Sequence, residues 1–459
     1  MSIARLAVSD GLPRRIFVVS ATVAFVLLLA LGSATTFRVD DWDLVANRSL
    51  LDPASLVRPY NQQFIAVPIV IFRLIYAVVG LHSYLPYLAV LLALHIATAT
   101  VVRHVVSEFA GEVPGLAAGI LFLFLGSGYE NLNAAFQIGQ VIATGSGVLA
   151  MDLAIRHRRS RAAAVLFMVA LASHAIGAAY LAGTIVAMLA FDRRRVAWMA
   201  IPLASLGMWT FAFDLGSLAA RDEPIAAAIA AVPLFMVVGP IAAVAAVFGL
   251  SLAGGAILVA IGIGVARLKR LRPAYPPLVI GAGVALIAEY ALIAMSRAAF
   301  GIGATTWSRY VYSAVPLVLV FVAAYLGSIS ASWTKPARRR ATMVLAGLTV
   351  IAVVGNLRTY ASSVDFTSEY IQRVRAAAAI AAWSPAAGQL TSDPVMPSAD
   401  RLRELFAASG SPAQDDLVPA VVTAVPSAMA RQACVEMLGQ GAALAPCMDA
   451  INKAVGANR

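Results

Sequence analysis

The residues able to do chemistry are few, and they lie at the edges of long apolar runs. Asp40-Asp41-Trp42-Asp43 follows the first such run directly. Carboxylates there can act as a general base or hold a divalent cation. The plainer alternative is an acidic loop that binds nothing. Glu130 stands in the short polar stretch Gly126-Ser127-Gly128-Tyr129-Glu130-Asn131 between two apolar runs. It suits orienting a hydroxyl or assisting a base; a solvated turn residue is the alternative. Asn131, Asn133 and Gln137 carry polarity into the next run, which fits a wet cavity, although Gln137 and Gln140 can equally bond neighbouring helices. Arg297 and Arg309 bracket the stretch Ser296–Ser308. A forked guanidinium suits a phosphate, whereas anchoring beside Trp307, Tyr310 and Tyr312 is the ordinary use of such residues. His174 separates two short apolar runs and can hydrogen-bond a ligand or pack as a core histidine. His82, His95 and His104 read most simply as structural. Ser-His-Asp, HExxH, phosphate-loop and dinucleotide-fold patterns are absent from the sequence.

The elements that must position these residues follow from composition. Of 459 residues, 61% are hydrophobic and 12% are charged, against about 25% charged in soluble domains. That excludes a water-soluble enzyme, and also a disordered or fibrous chain. The expected fold class is an all-α polytopic membrane protein. The net charge is +11, yet no basic patch is interleaved with aromatics, so nucleic acid is not an expected partner. The excess instead gathers in Arg156–Arg161, Arg193–Arg195, Arg267–Arg272 and Lys335–Arg340. Such runs mark the cytoplasmic side.

Alternating the apolar runs between these anchors predicts 11 to 13 crossings from a cytoplasmic N-terminus. Ile16–Ala34 is the first span. Residues 35–83 form an outer loop, with Phe64–Gly80 as an interfacial helix and Arg73 snorkelling. Tyr84–Val106, Leu116–Leu125 and Leu132–Ile155 are spans. Ala162–Phe191 is basic at both ends, so it must cross an even number of times, as two short helices turning at Ser173-His174. Val196–Phe213 goes out. Gly239-Pro240 suggests a re-entrant pair, Ala227–Val238 and Ile241–Leu250, before a span to Val265. Pro277–Met295, Tyr310–Ser328 and Ala341–Gly355 complete the membrane part. This divides the chain into a transmembrane domain, 1–357, and an extracytoplasmic, mainly helical domain, 358–459. Short helices are expected there at Leu357–Trp383, Asp400–Ala408 and Ser427–Leu438. Both cysteines, Cys434 and Cys447, fall in that domain. An oxidising compartment would pair them as a disulfide.

An acidic pair after the first span, an extended outer loop, broken helices and an outer C-terminal domain together resemble the GT-C superfamily of integral-membrane glycosyltransferases. The resemblance rests on Asp40-Asp41-Trp42, Tyr129-Glu130-Asn131 with Phe136-Gln137, and Ser308-Arg309-Tyr310. It implies a GT-C-like bundle, a polyprenyl-phosphate sugar donor and inversion at the sugar carbon. Asp40 or Asp41 would be the base, with Glu130 assisting. Arg297 and Arg309 would neutralise the leaving phosphate, and Trp42, Trp307 and Tyr310 would stack on sugar or line a lipid groove. Tyr129, Asn131, Gln137 and His174 would complete the substrate contacts. Asp41-x-Asp43 permits a divalent cation such as Mg or Mn without requiring one. Related chains carry a His near Asn61-Gln62-Gln63, where this chain has Gln.

The expectation is therefore an enzyme of the bacterial cytoplasmic membrane. It would move a sugar to an envelope polysaccharide or glycolipid on the outer face. A lipid-linked saccharide transporter and a non-catalytic envelope assembly protein are the alternatives. A transporter would be expected to show internal repeats and midplane polar sites.

Overall fold

A computed structural model describes residues 11–213, 225–330 and 333–383, with a few residues between 401 and 408. No side chain is described at position 39 or over 365–383. Cys434, Cys447 and the helix expected at Ser427–Leu438 lie outside the described residues.

The described chain is all-α. In order the helices are α1 Leu12–Leu31, α2 Val39–Ala46, α3 Pro53–Val57, α4 Ala66–Val79, α5 Leu85–Ala110, α6 Glu112–Leu123, α7 Glu130–Asn133 and α8 Ile138–Ile155. There follow α9 Ser160–Leu171, α10 Gly177–Phe191, α11 Ala200–Ala212, α12 Ile225–Phe248, α13 Leu252–Leu268, α14 Pro276–Arg297, α15 Ser308–Ser330 and α16 Lys335–Trp383. Among the described residues, seven helical stretches are long and apolar enough to cross a membrane, and five shorter helices are strongly apolar. The outer faces of α1, α11, α12, α13 and α16 carry exposed Val, Ile, Leu, Met and Phe, such as Val19, Phe211, Val237, Ile261 and Ile351. Water would penalise such faces; lipid matches them.

Charge sorts the bundle into two ends. At the basic end Arg195 donates to the Arg158 carbonyl, Arg156 pairs with Asp152, and Arg103 pairs with Glu112 at 2.7 Å. The first of these contacts joins the two ends of the α9–α10 hairpin, as the paired basic runs require. At the other end the Trp209 indole donates to the Val57 carbonyl at 2.8 Å and stacks on Phe64. Thus α11 leads from the basic end to the segment that follows α1.

Small residues set the closest helix crossings, as expected where no water drives helices together. A Cβ on Gly183 of α10 would lie 2.2 Å from the Gly281 carbonyl oxygen of α14. A Cβ on Gly239 of α12 would enter the Tyr290 ring at 2.1 Å. His95 is satisfied by the Tyr312 hydroxyl and the Leu123 carbonyl, tying α5 to α6 and α15.

Four expectations are corrected. The re-entrant pair is one continuous α12 that holds Pro233 and Pro240 within it. Prolines in an apolar helix are tolerated where neighbours pack the altered backbone, and Tyr290 does so beside Gly239. The span expected from Leu132 starts at Ile138. Ala134 is extended, and the Ala135 amide donates to the Tyr84 hydroxyl instead of a helical carbonyl. The span expected at Ala341–Gly355 and the helix expected at Leu357–Trp383 are one helix, α16, whose first turns hold the run Lys335–Arg340. The domain boundary placed at 357 therefore falls inside one helix. Arg73 does not snorkel: it donates to the Val45 carbonyl at 2.5 Å, with its guanidinium over Tyr76. That locks α4 to α2.

Candidate functional site

The site is built around residues 126–137, a run of short turns between α6 and α8. Hydrogen bonds fasten this run on three sides. Asn356 of α16 accepts the Ser127 amide at 2.9 Å and donates to the Ala246 and Val247 carbonyls at the end of α12. Arg38 donates to the Asn133 side-chain oxygen at 3.1 Å, and Tyr84 bridges the Ala135 amide to Asp41. Glu130 accepts from the Ser308 hydroxyl at 3.0 Å and from the Arg309 amide at 3.2 Å. The acidic helix α2 and the head of α15 are thereby held on either side of one short segment.

The three aspartates expected to work together are separated. Successive helical residues turn by about 100°, so Asp41 and Asp43 face different directions. Asp41 is fully buried; one oxygen accepts the Arg38 amide at 2.7 Å and the Tyr84 hydroxyl at 3.0 Å, and the other has no partner. It closes the start of α2. Asp43 is buried against Arg48 at 2.8 Å, and Arg48 also gathers the Ser55, Arg58 and Pro59 carbonyls. This ion pair staples the loop after α2. The pair Asp41 and Asp43 therefore does not fit a shared divalent cation.

Asp40 is the carboxylate of the three that keeps partial exposure. The Tyr60 hydroxyl donates to it. Tyr60 is held there by a tight turn in which its backbone pairs with Gln63, while Asn61 and Gln62 take positive φ values of 45° and 61°. Two consecutive left-handed residues suit this turn geometry but strain residues other than glycine. The turn at Asn61-Gln62-Gln63 thus serves to place Tyr60 over Asp40.

On the far side of the run, the Arg309 guanidinium lies 4.9 Å from the Trp307 ring centre and 5.4 Å from that of Tyr310. The two rings stack at 5.8 Å. Glu130 fixes the backbone of this turn and approaches the Arg309 side chain at 3.9 Å. Arg309 remains partly exposed, as does Arg297, whose side chain returns to its neighbouring Ser296 carbonyl. His174 lies close enough to both arginines to feel their charges. Burial, reinforced by Arg309 and Arg297, pushes its imidazole down to about 4. Its Nδ1 accepts the Ile176 amide at 3.1 Å, so the neutral ring carries its proton on Nε2 and offers it as a donor. The Tyr129 phenol is pushed up by burial and by Glu130, against Arg38 and Arg309.

Of the expected residues, Asp40, Tyr129, Glu130, His174, Arg297, Trp307 and Arg309 are partly exposed. Asp41, Trp42, Asp43, Asn131, Gln137 and Tyr310 are buried. Trp42 packs against Phe37 in the core and cannot stack on a sugar. Asn131 is wholly enclosed, and neither atom of its amide finds a partner.

Sequence reasoning missed Arg38, Tyr60, Tyr84 and Glu289. Arg38 stands two residues before Asp40, where it caps α2. Glu289 is the lone acid within the apolar run of α14, and an ionisable residue in such a run is itself a signal. Tyr60 and Tyr84 carried no spacing signal.

Burial makes Asp41 measurable. Its carboxyl is pushed from 3.8 to about 7, because burial outweighs the Arg38 amide, the Arg38 charge and the Tyr84 bond. The fold prefers its neutral form, so that contribution to stability is complete below about pH 4 and is lost as pH rises through about 7. The melting temperature of purified protein should fall across this window, and Asp41→Asn should flatten the slope. An unaltered slope in Asp41→Asn would assign the pH dependence to another group.

No family model and no curated protein matches the sequence. Among solved structures the chain is similar to ArnT from Cupriavidus metallidurans bound to undecaprenyl phosphate. The two are 13% identical, the match covers 96% of this chain and 74% of that one, and the TM-score is 0.42. A likeness this loose transfers neither residues nor chemistry.

Proposed function

We propose that the protein is a membrane glycosyltransferase that moves a sugar from a polyprenyl-phosphate donor to a hydroxyl acceptor. The observation that supports this best is the pairing of two unlike halves at one end of the bundle. A partly exposed carboxylate, Asp40, lies on one side of residues 126–137, and Arg309, Arg297 and neutral His174 lie on the other. Resemblance of Asp40-Asp41-Trp42 and Ser308-Arg309-Tyr310 to the GT-C pattern points the same way.

In this reading Asp40 accepts the proton of the acceptor hydroxyl. The oxygen attacks the anomeric carbon, the bond from that carbon to the phosphate oxygen breaks, and polyprenyl phosphate leaves. Charge grows on the phosphate as it departs, and preorganised guanidinium donors lower the barrier there. Tyr60 orients the base, and Trp307 holds the Arg309 plane. Inversion at the sugar carbon follows from a single displacement. The site end is the extracytoplasmic face, because the opposite end carries the basic runs. The acceptor is an envelope polysaccharide or glycolipid on that face.

The test is transfer of label from radiolabelled polyprenyl-phosphate sugars in membranes containing the protein. Incorporation above that of membranes lacking it supports the reading. Absence of transfer across hexose and pentose donors and envelope acceptors would overturn it.

A further inference from the structure

Beneath the arginines, the reading above leaves one ionisable group unused. Glu289 of α14 is fully buried, two turns along the helix from Arg297. One of its oxygens accepts the Ser313 hydroxyl at 2.5 Å, and the other has no partner. The titratable groups that a charge on it would reach are the phenols of Tyr180 on α10 and Tyr290 on α14. The Tyr180 hydroxyl is spent on the Ser313 carbonyl at 2.6 Å. The faces of α12 and α8 that pack here bring Gly239 and the polar, uncharged Gln140 and Thr144.

Gln140 completes the arrangement. Its amide nitrogen donates to Ser313 Oγ at 3.0 Å and to the Arg309 carbonyl at 2.5 Å. Those two acceptors fix which way the amide points. Its oxygen is therefore also determined, and it too has no partner. Two buried side chains meet on one hydroxyl, and each is left with one unpaired oxygen. An ionised carboxylate would leave both oxygens unsatisfied and bury an uncompensated charge inside the membrane span, which is expensive. One proton on the free Glu289 oxygen removes the charge and turns that oxygen into a donor, while the Gln140 oxygen, from the side chain bonded to the same hydroxyl, is a buried acceptor without one.

We propose that Glu289 carries a proton and, as a neutral acid, closes a buried ring with Ser313 and Gln140 that positions Arg309. The ring runs from the Glu289 O–H to the Gln140 oxygen, from the Gln140 N–H to Ser313 Oγ, and from the Ser313 O–H back to Glu289. Its outlet is the second Gln140 N–H, which holds the first turn of α15 by the Arg309 carbonyl. Glu289 is a positioning residue that touches no substrate. That Arg309 holds phosphate rests on the reading above; where its side chain lies does not.

The experiment therefore reads placement directly. An infrared difference spectrum of wild type minus Glu289→Gln, at neutral pH, should contain one protonated carboxylic-acid band. Trp307 emission, isolated by subtracting the Trp307→Phe version of each variant, reports the guanidinium stacked on it. It should shift in Glu289→Ala and stay at its wild-type value in Glu289→Gln, whose amide supplies the same acceptor and donor. Gln140→Leu should shift it as Glu289→Ala does, which keeps the test open if Glu289→Ala fails to fold. A missing acid band, unshifted emission in Glu289→Ala or, should that variant not fold, in Gln140→Leu, or shifted emission in Glu289→Gln would overturn the proposal. Loss of the glycosyltransferase reading would show instead as absent transfer in wild type, with band and emission unchanged.

Discussion

Asp40→Asn should lower sugar transfer by about 10²- to 10⁴-fold, the usual contribution of a positioned general base. The substitution preserves shape and leaves an oxygen to accept from Tyr60, so the turn at Tyr60–Gln63 and the start of α2 should remain intact. The loss should fall on the chemical step, with binding of polyprenyl phosphate unchanged. Asp41→Asn is the informative partner experiment. Adjacency in sequence leaves either aspartate eligible; burial separates them. A fully enclosed carboxylate bonded to the Arg38 amide and Tyr84 cannot reach an acceptor hydroxyl. Asp41→Asn should therefore alter the pH dependence of stability and retain most transfer. Equal loss in both variants, or greater loss in Asp41→Asn, would reassign the base.

Arg309→Ala should lower kcat/KM by about 10²- to 10³-fold, the scale for removing one preorganised donor to developing negative charge. The effect should appear in both kcat and KM, because the donor already carries a phosphate in its ground state and gains charge on leaving. Arg309→Lys should recover little. A lysine keeps the charge but loses the planar fork and the stacking on Trp307 and Tyr310. Full activity in Arg309→Lys would reduce the role of Arg309 to a diffuse charge. Unaltered kcat/KM in Arg309→Ala would remove it from the phosphate site and leave Arg297 as the candidate. Glu130→Ala offers a milder control, since Glu130 accepts the backbone amide of the same turn. Loss of that cap is worth about 1 kcal/mol.

Different parts of the molecule are legible in the sequence to different degrees. The α9–α10 hairpin can be read from the residues alone, because basic runs at both ends of one apolar stretch demand an even number of crossings and His174 marks the break. The continuity of α12 cannot. Pro233 and Pro240 are ordinary helix breakers in water, and only the packing of Tyr290 onto Gly239 shows how the helix is accommodated. The acidic motif is legible as a motif, but not in the separate duties of its members. Asp40, Asp41 and Asp43 are chemically equivalent as letters. Tyr60, Tyr84, Arg38 and Arg48 distinguish them, and two of these partners lie some twenty and forty residues away.

The sequence by itself determined the solvent of this protein and the polarity of its ends. Apolar content and the placement of arginine runs are one-dimensional quantities, and transfer of a helix into lipid depends on little else. Tertiary structure alone decided which polar groups are exposed and which are sealed. Burial and hydrogen-bond partnership are properties of pairs distant in the chain. Asp41 and Glu289 became buried carboxyls, and Asp40 a partly exposed one, through contacts that no local spacing encodes. In a medium where an unpaired charge is so costly, those contacts set which groups are placed to react.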